Sequence, residues 1–334
     1  MRRLNYVTCV AAAALATACG GGGGGESVSP LIQPVELDSY TFAETTQRLG
    51  PDGTLQAATT EYSTHTVESP KADLSHRRVV TAPHQFRRFL EVSSANRVAA
   101  HSDSTTWCRS TPAVDKPGFS PAVGQAWTAK INESCTDITG KVKLSGWISE
   151  VQSKVVAKEA YRSDAGQFTA FKIETDSKVL TRPAGTTTFE KQVCWLDEKN
   201  GVALSCITTV SASDAATAPV LSKTETSLIG MDAKNHPQSK PRTERFAGDW
   251  NLGAGELINC NMAAALDGAV TGECFNPFAS MLEISLTGTI TAEGVFNAKT
   301  SSGVTFSGRL STLLANGPVA TADGKQGTWV AIHK

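Results

Sequence analysis

Two cysteine pairs, each closing around a short polar turn with glycine at a fixed place, constrain this 334-residue chain more than any other feature. The first spans Gln192-Val193-Cys194-Trp195-Leu196-Asp197-Glu198, then Lys199-Asn200-Gly201, then Val202 to Cys206. A three-residue hairpin loop makes a type I turn followed by a left-handed residue, a place that glycine fills without a Cβ clash. Gly201 stands there, so the register is symmetric about Asn200 and sets Cys194 opposite Cys206. A two-residue Asn-Gly loop would set Cys194 opposite Ile207 and put the two sulfurs on opposite faces. The same reasoning applies to Cys260 and Cys274 around Leu266-Asp267-Gly268, centred on Asp267. Directly opposed residues lie about 4.5–5.5 Å apart at Cα, within disulfide range.

Of the eight cysteines, Cys9 and Cys19 fall in the N-terminal segment. Of the remaining six, Cys108 and Cys135 are left to pair by elimination. An even count reads as a disulfide framework in an oxidising compartment, and no C-x-x-C or C-x-x-C-H motif argues for metal or haem. Each short loop so closed is worth roughly 3 kcal/mol in the chain-entropy model.

The compartment is written at the start. Met1-Arg2-Arg3 precedes an apolar stretch from Val7 to Ala18 and a small-residue approach to Cys19, the layout of a secretory signal. The stretch is 12 residues, well short of the roughly 20 that a spanning helix needs. Leu15-Ala16-Thr17-Ala18-Cys19 resembles the bacterial lipobox, with the Leu one place further from the Cys than in the commonest form. The resemblance implies removal of residues 1–18, acylation of Cys19 and a membrane partner held through lipid. Multiple acyl chains would make that attachment stable. Gly20 to Gly25 then form a flexible run, and residues 19–38 together read as a tether. Gly20 in place of Asp after the Cys resembles lipoproteins sorted to the outer membrane, facing the periplasm or the cell surface.

Without residues 1–18 the chain keeps 316 residues, 29 of them basic and 32 acidic, a formal charge near −3. This balance provides no footprint for nucleic acid. The length fits two domains. Abundant Thr, Ser, Val and Gly suit strands and turns, so the expected class is all-β, with two antiparallel domains as curled or closed meanders. Residues 39–230 form the expected N-terminal domain, with short strands at 124–129, 140–147, 154–157 and 168–174. Residues 64–105 are also assigned to strands. Residues 231–245, with Asn235-His236-Pro237 and Lys240-Pro241-Arg242, read as a linker. Residues 246–334 form a small barrel-like unit with turns at Glu293-Gly294, Ser302-Gly303 and Asp323-Gly324.

Val123-Gly124-Gln125-Ala126-Trp127, the Gly166–Ile173 run and Cys194-Trp195 make residues 120–230 similar to exported β-curl domains of unknown function with a LolA/LolB-like sheet. Phe246-Ala247-Gly248-Asp249-Trp250, Thr287-Gly288-Thr289-Ile290, the Ser302–Gly308 run and Gly327-Thr328-Trp329 make residues 246–334 resemble small β domains of β-proteobacterial lipoproteins. Neither family implies an established chemistry.

No nucleophile elbow, S-x-x-K, H-E-x-x-H, P-loop or dinucleotide fingerprint occurs. No catalytic residue, cofactor or metal site is therefore assigned. His76, His84, His101 and Asp103 are the nearest approach to a constellation, and scattered polar positions account for them better than a metal does. Trp127 and Trp147, on neighbouring strands, either pack in the core or contact a ligand; Trp195, beside a disulfide, is expected in the core, and Trp250 and Trp329 at the seal of the second barrel. The functional expectation is a non-enzymatic envelope lipoprotein whose curled sheet binds an apolar or lipid-like ligand or an envelope protein. A structural or adhesive surface protein is the alternative. A hydrolase would need a buried His–carboxylate pair in a cleft.

Overall fold

The computed structural model describes residues 32–334 apart from 73–74, 84, 86, 93–97, 104, 112–120, 183, 256 and 276–283. The chain folds into two closed antiparallel barrels. The first holds β1 (Ser39–Arg48), β2 (Thr59–Glu68), β3 (His76–Thr81), β4 (Arg88–Val92), β5 (Val98–Ser102) and β6 (Thr106–Thr111). It continues through β7 (Ala126–Asp137), β8 (Lys143–Ser163), β9 (Gly166–Arg182), β10 (Thr187–Asp197), β11 (Ala203–Ser211) and β12 (Val220–Asp232), which pairs back with β1. The second is an eight-stranded meander: β13 (Gly248–Gly253), β14 (Asn259–Ala264), β15 (Ala269–Phe275), β16 (Ile284–Ile290), β17 (Val295–Thr300), β18 (Thr305–Leu310), β19 (Leu314–Ala320) and β20 (Gln326–His333). β13 and β20 close it.

Alternation places the side chains. On β7, Trp127, Ile131, Glu133 and Cys135 are buried, whereas Thr128, Lys130, Asn132 and Ser134 are exposed. Paired residues share a face, so the ladders carry this inward face around the first barrel.

The disulfides are Cys108–Cys135, Cys194–Cys206 and Cys260–Cys274, each between directly opposed residues. The loop at Gly268 has three residues: Ala265 pairs with Ala269, and Gly268 has φ 85°. The loop at Gly201 differs from the symmetric expectation. Asp197 N donates to Val202 O, so four residues turn, and a bulge between Trp195 and Leu196 restores the Cys194–Cys206 pairing. One extra loop residue is thus offset by one bulged residue, which leaves the sulfurs on one face.

Four further expectations are corrected. The short strands expected at 140–147 and 154–157 belong to one strand, β8, because residues 148–153 pair without a break with both β7 and β9, and a bulge between Val155 and Ala157 lets the ladder run on to Ser163. Trp195 packs only at the edge of a core cluster, half-buried, and not beside the disulfide. It neighbours Cys194 in the strand and so points to the opposite face, where it stacks on Tyr161 at 5.2 Å and donates to Glu159 Oε1 at 2.7 Å. Residues 32–38 are docked: Ile32 N donates to Lys199 O, and the buried Asp38 accepts from Val35 N and Lys234 N.

The polar 231–245 stretch is also built into the fold. Met231 pairs with Lys240, His236 is buried, and a 3-10 turn over Thr243–Phe246 leads into the second barrel. Pro and charge suggested a linker, but tertiary partners satisfy its polar groups. The barrels are joined by Arg245, whose guanidinium reaches Asp232 of the first and Ala292 O of the second. Thr66 also donates to Thr312 across the junction at 2.7 Å.

Candidate functional site

The two interiors differ. In the second barrel one continuous apolar cluster fills the space, led by the fully buried Trp250, Phe296, Phe306 and Trp329. In the first, the apolar core is divided among three clusters. Polar side chains lie between them.

One register row shows how the sequence produces this. Trp127 pairs with Ser153, Ser153 with Thr175, Thr175 with Gln192, Gln192 with Thr208, Thr208 with Thr224, and Thr224 with Thr46. Within the row, Ser153 and Thr175 hydroxyls meet at 2.9 Å, Gln192 Nε2 donates to Thr208 at 3.0 Å, and Thr46 and Thr224 meet at 3.2 Å. Trp127 Nε1 is buried with no hydrogen-bond partner among the described residues. Trp127 packs with Val155 and the Cys194–Cys206 disulfide, while the half-buried Trp147 rests beside Ile131 and Val151. Both face the interior.

Charged groups occupy the same inner face. His65 pairs with Tyr40 and Val80, Val80 with Arg88, and Arg78 with Val67 and Leu90. Burial, reinforced by Arg78 and Arg88, pushes the His65 imidazole down to about 3, so it is neutral at physiological pH. Burial also lowers the Arg78 guanidinium from its ordinary value and raises Tyr40 and Glu190. His65 and Arg78 are deep enough for desolvation to dominate, yet both keep accessible surface.

The histidine and acid positions singled out in the sequence do not converge on a metal centre. His76 accepts a hydrogen bond from Arg78 Nε at 2.8 Å, and Asp103 caps a turn through Thr105 N and Thr106 N. His84 lies outside the described residues. His101 does meet Glu133 at 3.8 Å, which also accepts from Ser110 at 3.1 Å. Cys108 completes a group whose ligand atoms lie within 4.8 Å of one another, but its sulfur is bonded to Cys135.

Sequence reasoning missed one buried His–carboxylate pair. His236 Nε2 lies 2.9 Å from Asp197 Oδ2, and Gln238 N donates to Nδ1. Asp197 also holds the hairpin turn through Asn200 N. Both ring nitrogens are occupied and both side chains are sealed at 1–2% exposure, so the pair ties segment 231–245 to the β10–β11 turn. No reactive hydroxyl or thiol contacts it among the described residues. Only the fold brings position 236 to position 197.

No family model matches the chain, and no curated protein matches it. Among solved structures, it is similar to a candidate lipoprotein from Parabacteroides distasonis at 9% identity, covering 62% of this chain and 100% of that one, with a TM-score of 0.35. The hypothetical lipoprotein YmcC from Escherichia coli aligns at 9% identity over 57% of this chain and 83% of that one, TM-score 0.33. A double mutant of Transferrin Binding Protein B from Haemophilus parasuis aligns at 9% identity over 90% and 77%, TM-score 0.18. Likeness at this level assigns neither fold family nor function.

Proposed function

We propose that this chain is a membrane-anchored lipoprotein of the bacterial envelope that acts by binding, without catalysing a reaction. Its ligand, apolar or lipid-like in part, is held inside the twelve-stranded barrel. The address is supported by the charged start, the short apolar run and Cys19. The observation that carries the binding reading is the set of polar and charged side chains, Gln192, Thr208, His65, Arg78 and Arg88, that the register turns to the inner face of this barrel. The divided apolar core supports it, because a barrel of this strand number is wider than its own side chains fill. The non-catalytic reading is supported by the way the His236–Asp197 pair uses both ring nitrogens in structural bonds.

The test has two parts. Cys19→Ser should abolish acyl labelling; unchanged labelling rules Cys19 out as the anchor. Native mass spectrometry of protein purified from the envelope should then show a bound mass that denaturation releases. A structural or adhesive role is the second reading. It is favoured by the exposed Leu314, Val330 and Ile332, with Leu314 and Ile332 directly opposed on the outer face of the second barrel. An absent bound mass together with adhesion lost in Ile332→Lys would favour it.

A further inference from the structure

The interior of the first barrel concentrates cationic side chains around one residue. Val80 is flanked in register by His65 on β2 and Arg88 on β4, and Arg78 stands two places before it on β3. Arg78 and Arg88 are diagonal neighbours on paired strands, which puts their Cβ atoms about 7–8 Å apart on one face. The Arg78 guanidinium lies 5.4 Å from the ring centre of Tyr40. Arg88 is part-buried on this inner face and makes no hydrogen bond or ion pair among the described residues.

Arg78 Nε donates to the neutral acceptor His76 Nε2 at 2.8 Å, and two guanidinium groups on one inner face repel each other and lose hydration. Arg88 acts electrostatically on one acid, Glu44, whose carboxyl it and Arg48 favour in the charged form. Glu44 faces Glu61 directly across β1 and β2, and burial together with Glu61 holds its carboxyl above the ordinary range. His65 is held neutral, so it accepts or donates a hydrogen bond without adding charge. Such a cluster is complementary to an oxyanion. Guanidinium groups bind carboxylate and phosphate oxygens through paired N–H donors, strongest where water is excluded.

We infer that the barrel interior is an oxyanion site in which Arg88 and Arg78, with Tyr40 beside them, hold the carboxylate or phosphate head of an amphipathic ligand. The inference rests on the ligand-binding reading above and specifies the head-group chemistry.

The test uses the folded mature protein and three 12-carbon probes below their micelle thresholds: laurate, dodecyl phosphate and dodecyl maltoside. At least one anionic probe should bind ten times or more tighter than the neutral maltoside, and whichever binds tighter identifies the head. Arg88→Gln should weaken that probe about tenfold, Arg88→Lys less, and added salt should weaken it in the parent. Circular dichroism and disulfide mapping establish that each variant is folded. Equal binding of dodecyl maltoside, or anion binding unchanged in Arg88→Gln, overturns the oxyanion site and leaves the binding function standing. Failure of all three probes in the folded parent overturns both.

Discussion

The two barrels solve the same closure problem at different widths. Eight strands leave an interior that side chains just fill, and the second barrel fills it with Trp250, Phe296, Phe306 and Trp329. Twelve strands enclose more space, and the first barrel lines it with Thr, Ser, Gln, Arg, His and Glu. The small barrel also needs tight coiling. A Cβ on Gly317 would stand 2.0 Å from Ser307 O, and one on Gly308 would stand 2.9 Å from the Trp329 ring. Glycines there let the backbone bend around the aromatic core. A filled core supplies stability, whereas polar side chains turned to the inner face of a wider ring give up some of it.

The sharpest way to break this contrast is to empty the filled barrel. Trp329→Ala removes a fully buried indole whose N–H serves Ser307 O and Pro318 O, and should cost about 3–5 kcal/mol. Differential scanning calorimetry should show the loss; a variant melting like the parent would mean that the core does not depend on this ring.

Next comes the staple of the same barrel. Replacing Cys260 and Cys274 together with Ala should destabilise it by roughly 3 kcal/mol, read from the urea midpoint. An unchanged midpoint would place the barrel's stability elsewhere.

Acid should separate the barrels further. Burial, reinforced by Arg87, pushes His333 down to about 4, against the raising effects of the Thr312 and Ala247 backbone and of Asp249. The ring is neutral and stacked on Trp250 at 4.4 Å. A His with a lowered folded pKa binds fewer protons folded than unfolded, so its contribution is full above about pH 6.5. It is lost as pH falls from there to about 4, by up to about 3 kcal/mol. His333→Gln should flatten this part of the melting profile; an unaltered slope would assign it to other groups.

The smallest effect is expected in the lined barrel. Trp127→Phe removes an N–H that has no partner among the described residues, so stability should change by less than about 1 kcal/mol. Trp329→Phe loses two hydrogen bonds and should cost more. Equal losses would erase the distinction between filled and lined interiors.

The sequence by itself determined local matters. Left-handed glycines after polar turns and alternation along strands are set by neighbouring residues, so the β class, the Cys260–Cys274 register and the second domain's meander were legible, whereas Cys194 meets Cys206 through a four-residue turn and a bulge that no local signal marks. The segment 231–245 was not, because its Pro and charged residues look solvated until Asp197, Asp38 and Asp164 supply partners from far along the chain. Of the residues on the inner face, the sequence singled out only Trp127 and Trp147 for ligand contact, and both pack in apolar clusters. Tyr40, His65, Arg78 and Arg88 carry no motif, since nothing local marks which face of a polar strand turns inward. Closure of twelve strands decides that, by fixing one face of each strand inside.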